Sequence, residues 1–594
     1  MRVAPSASLP AHRTAYHAVT SCEAAIRTDR HASRPGARAR RKLEEKRPAY
    51  IRRMSLRPIR SCTLRAPVLV MALMLLVAMR VLWLDAYPLD SDEPQHAHVA
   101  WSIAQGRVPY RDVFDNHGPL FALLYAPLMR GLGPRADILW WLRLAVIPWY
   151  VLALFATWHI ARRLYRPAVA DTAVLLTAWM QVFFIKSGEF RTDDPWAALW
   201  LGALALALSP RGTSMRWLLA GVCVGGALSI SQKTLPLLAT ALLAGGCLWA
   251  ASPRRFNRAS ICRALAFAIG CLVIPLALAL WLAGLHDLAP AWRDLIDYGL
   301  APTGGASHAW RQASYAGLLA LAMAVAIARL RRRQALDGAR WRAFLALHGV
   351  FYASLIWIAW PLSTPQDFLP VIPTLILSLT GWVASRQATE RLGTGTGVFV
   401  VAAFAALELG IVMARAPPWR DALAGERSQL TTVLRDTDPQ DSVMDAKSGA
   451  IFRPRPYYPV IESLALRRLR RGLMPDTIPA ALIAHRTMVV IPDRLPPPVL
   501  TFVRHNYLPG PADVYMAGML LPPEARMRPF VIALPGVYTL SDGVAQVALG
   551  IDGRPPAARW YLSAGPHALD TATSRSLVLS WSKAWDRGWR PTLH

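Results

Sequence analysis

Charged residues are scarce in this chain. They make up 17% of its 594 residues, whereas 54% are hydrophobic. The apolar residues recur in blocks of about 17–25, the length of helix that crosses a bilayer, and a soluble domain seldom has this composition. The scarcity of charge therefore argues against a soluble enzyme and predicts an α-helical polytopic membrane protein.

Cysteine is also sparse, and its spacing does not suggest a metal site. No two cysteines form a CxxC pair, and none has the Cys/His spacing of a structural zinc site. None follows Cys271, so an internal disulfide is excluded from the C-terminal region. The six cysteines are Cys22, Cys62, Cys223, Cys247, Cys262 and Cys271.

Residues 1–60 lack the compact apolar stretch and the cleavage site of a signal peptide. They are rich in arginine and weakly hydrophobic, a composition typical of disordered segments. Met54 begins a short basic stretch in front of the first apolar block, as in signal-anchor helices. We therefore predict a disordered basic N-terminus, and expect either that Met54 rather than Met1 is the true start or that the first fifty residues are dispensable.

Positive charge is abundant, with a formal net charge of +29. The arginines lie in short loops between apolar blocks and form no basic stripe with interleaved aromatics, so we do not expect nucleic-acid binding. The positive-inside rule instead places these loops and the N-terminus in the cytosol. About eleven spans are predicted: Ala66–Leu84, Ile138–Ile160, Ala168–Ile185, Pro195–Leu208, Trp217–Ser231, Thr234–Ala251, Ala264–Ala283, Ala313–Ala328, Phe344–Trp360, Phe368–Ala384 and Gly397–Ala414.

The apolar segment Pro119–Met129 is too short to cross about 30 Å of hydrocarbon and contains Pro127. We predict a helix lying at the outer surface. Counting it as a span would place the later arginine-rich loops outside, against the charge rule. The acidic first loop, the segment 191–194 and everything after residue 416 are therefore predicted on the outer side of an inner (plasma) membrane.

Four regions are predicted along the chain: 1–60, a transmembrane domain over 61–416, an extracytoplasmic α/β domain over 417–525 and a small β-rich domain over 526–594. The composition becomes that of a soluble protein after residue 416. Thr487–Ile491 has the pattern of a buried strand and Pro498–Asn506 that of a helix. After Phe530, short alternating runs broken by glycine and aspartate predict an antiparallel sheet or sandwich.

An acidic cluster follows the first span, at Asp90, Asp92 and Glu93. A carboxylate at the membrane surface can act as a general base on an acceptor hydroxyl. A helix that begins near Asp92 places His96 on the same face. Helix capping would explain one such acid, but not three.

Two further polar groups are expected at the same face. Tyr110 and His117 can hold a phosphate, the alternative being an ordinary polar turn. Asp193 and Asp194 follow Arg191 at the outer end of a span, where adjacent like charges need partners. The cations at this depth, Lys186, Arg191 and Lys233, suit a lipid phosphate, although each taken singly also fits a side chain that reaches for the interface.

The order of these motifs resembles that of the GT-C membrane glycosyltransferases, over about residues 66–415. The nearest branch is that of the bacterial relatives of protein O-mannosyltransferases (glycosyltransferase family 39-like) and of the lipid A aminoarabinose transferase. The motifs are Asp92-Glu93, Gly106 with Pro109-Tyr110 and Asp112, His117-Gly118-Pro119-Leu120, Gly131 and Gly133 with Arg143, Arg191 to Asp194, and Asp367-Phe368-Leu369-Pro370 with Pro373.

This resemblance implies a catalytic carboxylate at Asp92, a second acid at Asp193 or Asp194, and a polyprenyl-phosphate-linked sugar as donor. His117 stands where the family often has a lysine that faces the donor phosphate, and its charge depends on pH. The predicted catalytic residues are Asp92, Asp193, Asp194 and Glu93. The predicted substrate-binding residues are Asp90, His117, Arg191, Lys186, Lys233, Tyr110 and Asp367.

Elementary chemistry agrees with a lipid-linked donor, because nucleotide sugars are made inside the cell and the site faces outward. Asp92 would orient or deprotonate an acceptor hydroxyl, in-line attack would invert the anomeric carbon, and cations would stabilise the departing phosphate. Some family members hold a divalent ion with carboxylates, and Asp90 and Asp92 with Asp193 and Asp194 can do so. The relatives nearest this layout generally do not, so we predict no metal and no other cofactor. The acceptor would be a lipid, a glycan or a protein.

Two other functions stay open at this point. A transporter or flippase of a lipid-linked or polar solute usually keeps its ionisable residues near the bilayer midplane and often shows inverted repeats, and neither is found here. A GT-C-like glycan ligase or polymerase would rely on arginines in a large late outer loop. Arg293 and Arg311 in the segment 286–312 keep that alternative open. The C-terminal region would bind the acceptor or serve a structural role.

Overall fold

The computed structural model describes residues 65–208, 213–251, 257–301, 309–332, 337–360, 363–387, 394–523, 528–570 and 575–592. The predicted disordered segment 1–60, with Met54, lies outside the described residues. So do several arginines used for the topology: Arg211, Arg254, Arg255, Arg333 and Arg391.

The chain is helical between residues 65 and 415, and all eleven predicted spans fall on helices; the number that cross the membrane stays a prediction. These helices are α1 (Arg65–Leu82), α2 (Asp92–Ala104), α3 (Leu120–Leu132), α4 (Ile138–Leu164), α5 (Pro167–Trp179), α6 (Gln181–Lys186), α7 (Asp193–Ala207), α8 (Ser214–Ile230), α9 (Thr234–Ala251), α10 (Arg258–Gly284), α11 (Leu288–Trp292), α12 (Ala309–Arg332), α13 (Asp337–Ser354), α14 (Ile372–Gln387) and α15 (Thr394–Arg415). Shorter π and 3₁₀ segments occupy Arg293–Asp297, Leu355–Ala359 and Pro365–Phe368.

Apolar side chains on the outside of the helices show what surrounds them. Among the described residues, five helices are long and apolar enough to cross a membrane by length and composition: Ile138–Leu164, Thr234–Ala251, Arg258–Gly284, Ala313–Arg331 and Gly338–Ala359. In α10 only 17% of the most apolar window is buried, and Leu272, Leu276 and Leu280 are exposed. An apolar helix with such an outward face needs lipid around it.

Helices α8 and α10 pack backbone against backbone. A Cβ on Gly221 would overlap the carbonyl oxygen of Phe267, and a Cβ on Gly270 would overlap that of Leu218. Small residues allow this approach in membranes, where van der Waals packing rather than the hydrophobic effect joins helices. Helices α8 and α10 are thus closely packed against each other.

The predicted span Ala168–Ile185 is divided at Met180 into α5 and α6. Met180 has an extended backbone (φ −57°, ψ 124°), which interrupts the helical hydrogen bonds. The backbone N–H of Gln181 donates instead to Oε2 of Glu408, at 2.7 Å. The break turns α6 so that Lys186 reaches the acidic first loop.

The first loop folds into two helices, α2 and α3, that pack on each other. With 13 residues, α3 is about 20 Å long, which is too short to span a bilayer. The turn before α3 sits tightly on the end of α8: the Gly118 N–H donates to the carbonyl oxygen of Ile230, and a Cβ at Gly118 would overlap that of Ser229.

The region after residue 416 combines helices with a seven-stranded sheet in the order β1-β2-β4-β9-β6-β7, with β3 also paired to β4. Strands β1 and β2 are parallel and the other pairs are antiparallel. The strands are β1 (Val443–Met444), β2 (Val489–Val490), β3 (Tyr507–Leu508), β4 (Tyr515–Leu521), β5 (Arg528–Ile532), β6 (Gly536–Ser541), β7 (Arg559–Leu562), β8 (Gly565–Leu569) and β9 (Leu577–Trp581). The helices are α16 (Ala424–Asp436), α17 (Ser463–Arg470), α18 (Ile478–Ala484), α19 (Pro497–Asn506) and α20 (Ser582–Asp586), and β5 pairs with β8 in a separate ribbon.

One sheet carries strands from both predicted C-terminal regions, since β4 pairs with β9. The division at residue 525 therefore stays a prediction. Among the alternating runs after Phe530, the segment 544–553 forms isolated bridges instead of a strand, and it ends in a turn at Asp552 and Gly553, which have positive φ.

Candidate active site

The guanidinium of Arg191 joins the two predicted acidic groups. It lies between α2 and α7, each of which begins with an aspartate. Its Nη1 contacts Asp90 and is 2.7 Å from Oδ2 of Asp92, while its Nε is 3.0 Å from Oδ2 of Asp193. The Arg191 side chain is 6% exposed, so these ion pairs are shielded from water. Residues about 100 positions apart thus form one cluster.

Lys233 brings a third part of the chain into the same cluster. Its Nζ lies 3.3 Å from Oδ1 of Asp193 and 2.5 Å from Oδ1 of Asp367. Asp367 also closes its own turn, because its Oδ2 accepts from the backbone N–H of Thr364 at 2.8 Å. The structure therefore places the predicted residues Asp193, Lys233 and Asp367 together.

Lys186 supplies a further cation on the opposite side of Arg191. Its Nζ is 3.2 Å from Oδ2 of Asp90 and 2.6 Å from Oε1 of Glu189. Burial, together with Glu93 and Asp90, raises the pKa of Glu189 to about 8, against the lowering effect of Lys186. Glu189 was not predicted as a site residue, although it lies within the segment that was.

Lys447 also belongs to this cluster and was not predicted from the sequence. It belongs to the region after residue 416, yet its Nζ forms an ion pair with Oδ1 of Asp92 and its side chain is 8% exposed. The two residues are 355 positions apart. The only local signal is the turn-forming sequence Asp445-Ala-Lys-Ser-Gly449 that contains the lysine.

The loop that presents Lys447 is firmly built. The Asp445 carboxylate accepts from the backbone N–H groups of Lys447 at 2.9 Å, Gly449 at 2.8 Å and Ala450 at 3.0 Å. The carbonyl oxygen of Ile451 lies 3.0 Å from Nδ1 of His98 on α2. Gly449, Ala450 and Ile451 all have positive φ, an arrangement that costs energy at the two non-glycine positions and is characteristic of functional loops.

Asp92 is ionised in this setting. Burial by itself would raise the pKa of Asp92, but the positive charges of Arg191 and Lys447 outweigh it and hold the pKa well below its ordinary value. The side chain is 23% exposed, so it remains within reach of a substrate. Asp92 is therefore a carboxylate that is both charged and accessible.

Glu93, one of the predicted catalytic residues, lies in a fully buried ion pair. Glu93 and Arg143 are both 0% exposed and form a two-pronged ion pair, at 2.7 Å (Nε–Oε2) and 2.6 Å (Nη2–Oε1). The carboxylate also accepts from the backbone N–H groups of Phe190 and Asp90, each at 3.0 Å. With both oxygens occupied and shielded, Glu93 ties the first loop to α4 and cannot meet a substrate.

Asp194, also a predicted catalytic residue, is not the member of its pair that contacts Arg191 and Lys233. It is buried, and neither carboxylate oxygen has a hydrogen-bond partner in the described part of the chain. Arg80 is the cation that acts on it electrostatically, from the α1 side. Asp193 is thus the member of the pair that faces Arg191 and Lys233.

Tyr110, a predicted substrate-binding residue, is held inside the first loop. It is fully buried with φ 68°, and its hydroxyl donates to the carbonyl oxygen of His117 at 2.7 Å. Its own carbonyl accepts from Tyr458 and from Arg293, whose guanidinium is engaged there and with Asp294. Arg293, one of the two arginines that keep a glycan ligase or polymerase as an alternative, contacts Tyr110 and Asp294 and has a side chain that is 55% exposed.

The fold of this chain is similar to that of solved structures. ArnT from Cupriavidus metallidurans in the apo state has a TM-score of 0.50 and 13% identity, and the match covers 77% of this chain and 98% of that one. The chain has the GT-C fold. ArnT bound to undecaprenyl phosphate (TM-score 0.48, 12% identity, 75% and 97% covered) and the apo oligosaccharyltransferase from Archaeoglobus fulgidus (0.40, 13%, 75% and 73%) are also similar. No protein-family model and no curated protein sequence matches the chain. With its apolar helices, the protein is a multi-pass membrane protein.

Within this GT-C fold, a cavity of about 1100 Å³ lies among the helices, away from the carboxylates. Trp200 lines the cavity. It lies about one helical turn along α7 from Trp196, whose ring faces Lys233. Its walls are apolar, and arginines are found at only three lining positions, Arg163, Arg263 and Arg340. The cavity is therefore suited to a long apolar chain rather than to a sugar.

Proposed function

We propose that this protein is a glycosyltransferase that moves a sugar from a polyprenyl-phosphate donor to an acceptor hydroxyl at the outer face of the inner membrane. The observation that carries the proposal is Asp92: a charged, accessible carboxylate between two cations, at the junction of the membrane helices and the C-terminal region of a GT-C fold. Glycosyl transfer requires such a carboxylate beside cations that can receive a phosphate.

In the proposed reaction the acceptor hydroxyl attacks the anomeric carbon while Asp92 orients it and takes its proton. The new carbon–oxygen bond forms on the face opposite the phosphate, so the configuration is inverted. The bond from the anomeric carbon to the phosphate oxygen breaks, and polyprenyl phosphate departs. Lys186, Arg191 and Lys233 are the cations that would stabilise its negative charge, with Asp90, Asp193 and Asp367 fixing their positions.

No step of this reaction runs through a metal ion. A divalent ion in such a site would lie between the carboxylates of the first loop and of α7. Arg191 occupies that space instead, with ion pairs to Asp90, Asp92 and Asp193. The acidic residues therefore do not fit a metal, and the guanidinium supplies the positive charge.

The donor's hydrocarbon tail fits the apolar cavity described above. Its walls come from α7, α8, α9, α10 and α13, and include Trp200, Leu204, Leu238 and Phe344. Because isoprenoid chains are purely apolar, moving the tail from lipid to such walls leaves no polar group unpaired, and van der Waals packing would hold it there. The proposal thus gives the phosphate and the tail of the donor separate binding regions.

The test is sugar transfer by the purified protein in liposomes with radiolabelled polyprenyl-phosphate sugars and an extract of envelope acceptors. We expect label in an acceptor and release of polyprenyl phosphate. Movement of the lipid-linked sugar across the bilayer without transfer would favour a flippase. Reporter fusions test the proposed orientation, with a cytoplasmic N-terminus and the C-terminal region in the periplasm or outside the cell.

Lys447 should position the donor. When a phosphate approaches, it competes with Asp92 for the ammonium group, and an Asp92 relieved of that charge is a stronger base. We expect Lys447→Met to raise the KM for the donor by about 10- to 100-fold, the loss of one charge-assisted hydrogen bond. Steady-state kinetics measure the KM for the donor. The control is Lys583→Met, because Lys583 pairs with Asp438 and Asp441. An unaltered donor KM would argue against the role.

Glu189 should make donor binding depend on pH. Below a pH of about 8 it is neutral, and above it a negative charge appears beside Lys186. We expect the donor KM to rise as the pH passes 8, and Glu189→Gln to remove that rise. In the folded protein the carboxyl keeps its proton up to a pH of about 8, whereas in the unfolded chain it loses the proton near its ordinary pKa of 4.5. The stability of the folded state therefore also falls as the pH rises from about 4.5 to about 8. A KM profile identical in both proteins would contradict this assignment.

A further inference from the structure

Beside the acidic cluster, three potential metal ligands converge on one point. They are His96 on α2 and Asp115 and His117 in the turn before α3. One ligand atom from each lies within 4.8 Å of the others. This group is separate from the carboxylates that contact Arg191, and none of the proposed catalytic steps uses it.

His96 carries the second, independent observation. Its side chain is buried, and its Nε2 finds no hydrogen-bond partner among the residues that the structure describes. A buried polar atom left unsatisfied is costly, so such an atom normally has a ligand. The His96 and His117 rings are 4.7 Å apart at an interplanar angle of 68°.

The charges around this point favour a cation. Asp115 is buried, and its Oδ1 lies 3.1 Å from Nδ1 of His117 and accepts from the His117 N–H at 3.0 Å. Asp92 and Asp193 also act electrostatically on His96, opposed by His117 and by the guanidinium of Arg191. An imidazole pair with one carboxylate is a donor set typical of zinc.

The geometry points to a divalent transition-metal site, zinc by its chemistry, formed by His96, Asp115 and His117. Tetrahedral zinc with bonds of about 2.0–2.1 Å holds its ligand atoms about 3.3 Å apart, so the three side chains need only close slightly. The ion would pin the turn of the first loop to α2, one helical turn from Asp92. A fourth position would be left for water.

The sequence did not indicate this site, for a physical reason. The ligands are 19 and 21 residues apart along the chain, far from the short spacings by which zinc sites are recognised. Tertiary packing brings them together: Gly118 fixes the turn against the end of α8, and the Gln95 side chain on α2 donates to Oδ1 of Asn116 in the turn at 3.3 Å.

The experiment measures metal in the full-length protein, purified through an affinity tag without histidine, by elemental mass spectrometry. We expect about one zinc per chain, and a fall to below about a tenth in His96→Ala and His117→Ala. His98→Ala, on the same helix but bonded to Ile451, should keep the zinc. Gel filtration confirms that each variant is folded.

A second measurement needs no variant. Replacing the ion by Co²⁺ in the wild-type protein should give visible d–d absorption of a tetrahedral nitrogen and oxygen site. Absence of metal above background together with no Co²⁺ spectrum would overturn the proposal. Equal loss of zinc from the His98→Ala control would overturn it as well. Neither readout depends on the reaction that the protein catalyses.

Discussion

Asp92→Asn should abolish sugar transfer while the protein still accumulates and folds. Replacing the carboxylate by an amide removes a base whose contribution is about 10²- to 10⁴-fold, and keeps the size of the side chain. Transfer from a polyprenyl-phosphate sugar in liposomes measures the loss. Because Asp92 is partly exposed, Arg191 keeps Asp90 and Asp193 as partners, and Lys447 can still donate to the amide oxygen, we expect a smaller fall in melting temperature than for loss of a fully buried pair.

Asp112→Asn is the matched control for that experiment. Asp112 lies in the same loop and is also partly exposed (36%, against 23% for Asp92), but its partners are Arg111 and the backbone N–H of Val108. This variant should transfer sugar at the wild-type rate. Equal activity in Asp92→Asn and wild type would refute the proposed chemistry, even if the GT-C fold remains.

The spans could be predicted because their signal is local. Apolar blocks and the arginines between them are read from neighbouring residues, and the helices lie where those blocks lie. The exception is the break at Met180, which depends on Glu408 more than 220 positions away. The position of Lys447 also depends on a contact between residues far apart in the sequence. It pairs with Asp92 because the C-terminal region packs on α2.

Adjacent acids show a different limit of sequence reasoning. Successive residues on a helix point about 100° apart, so a pair at a helix start cannot direct both carboxylates to one site. Asp92 faces Arg191 while Glu93 faces Arg143, and Asp193 faces Arg191 while Asp194 turns toward Arg80. The sequence identifies each pair as important, but which member meets the substrate depends on how the helix is rotated.

Glu93→Gln should separate a structural acid from a catalytic one. The change keeps the side chain's size but removes its charge, which leaves the Arg143 guanidinium buried and unpaired apart from the carbonyl oxygens of Leu84 and Tyr87. Breaking a buried pair in this way costs about 3–5 kcal/mol. We expect a large fall in melting temperature, followed in detergent by temperature-dependent gel filtration.

The control for this substitution is Asp137→Asn, which breaks the pair between Arg135 and Asp137. These side chains are 34% and 41% exposed, so their contribution is about 0–1 kcal/mol and the melting temperature should hardly move. At temperatures where Glu93→Gln is still folded, it should retain transfer activity, since Asp92 keeps both of its cations. A variant that melts like wild type yet transfers no sugar would instead return Glu93 to the chemistry. The substitutions at Asp92 and Glu93 are thus expected to give opposite results in the sugar-transfer and melting-temperature assays.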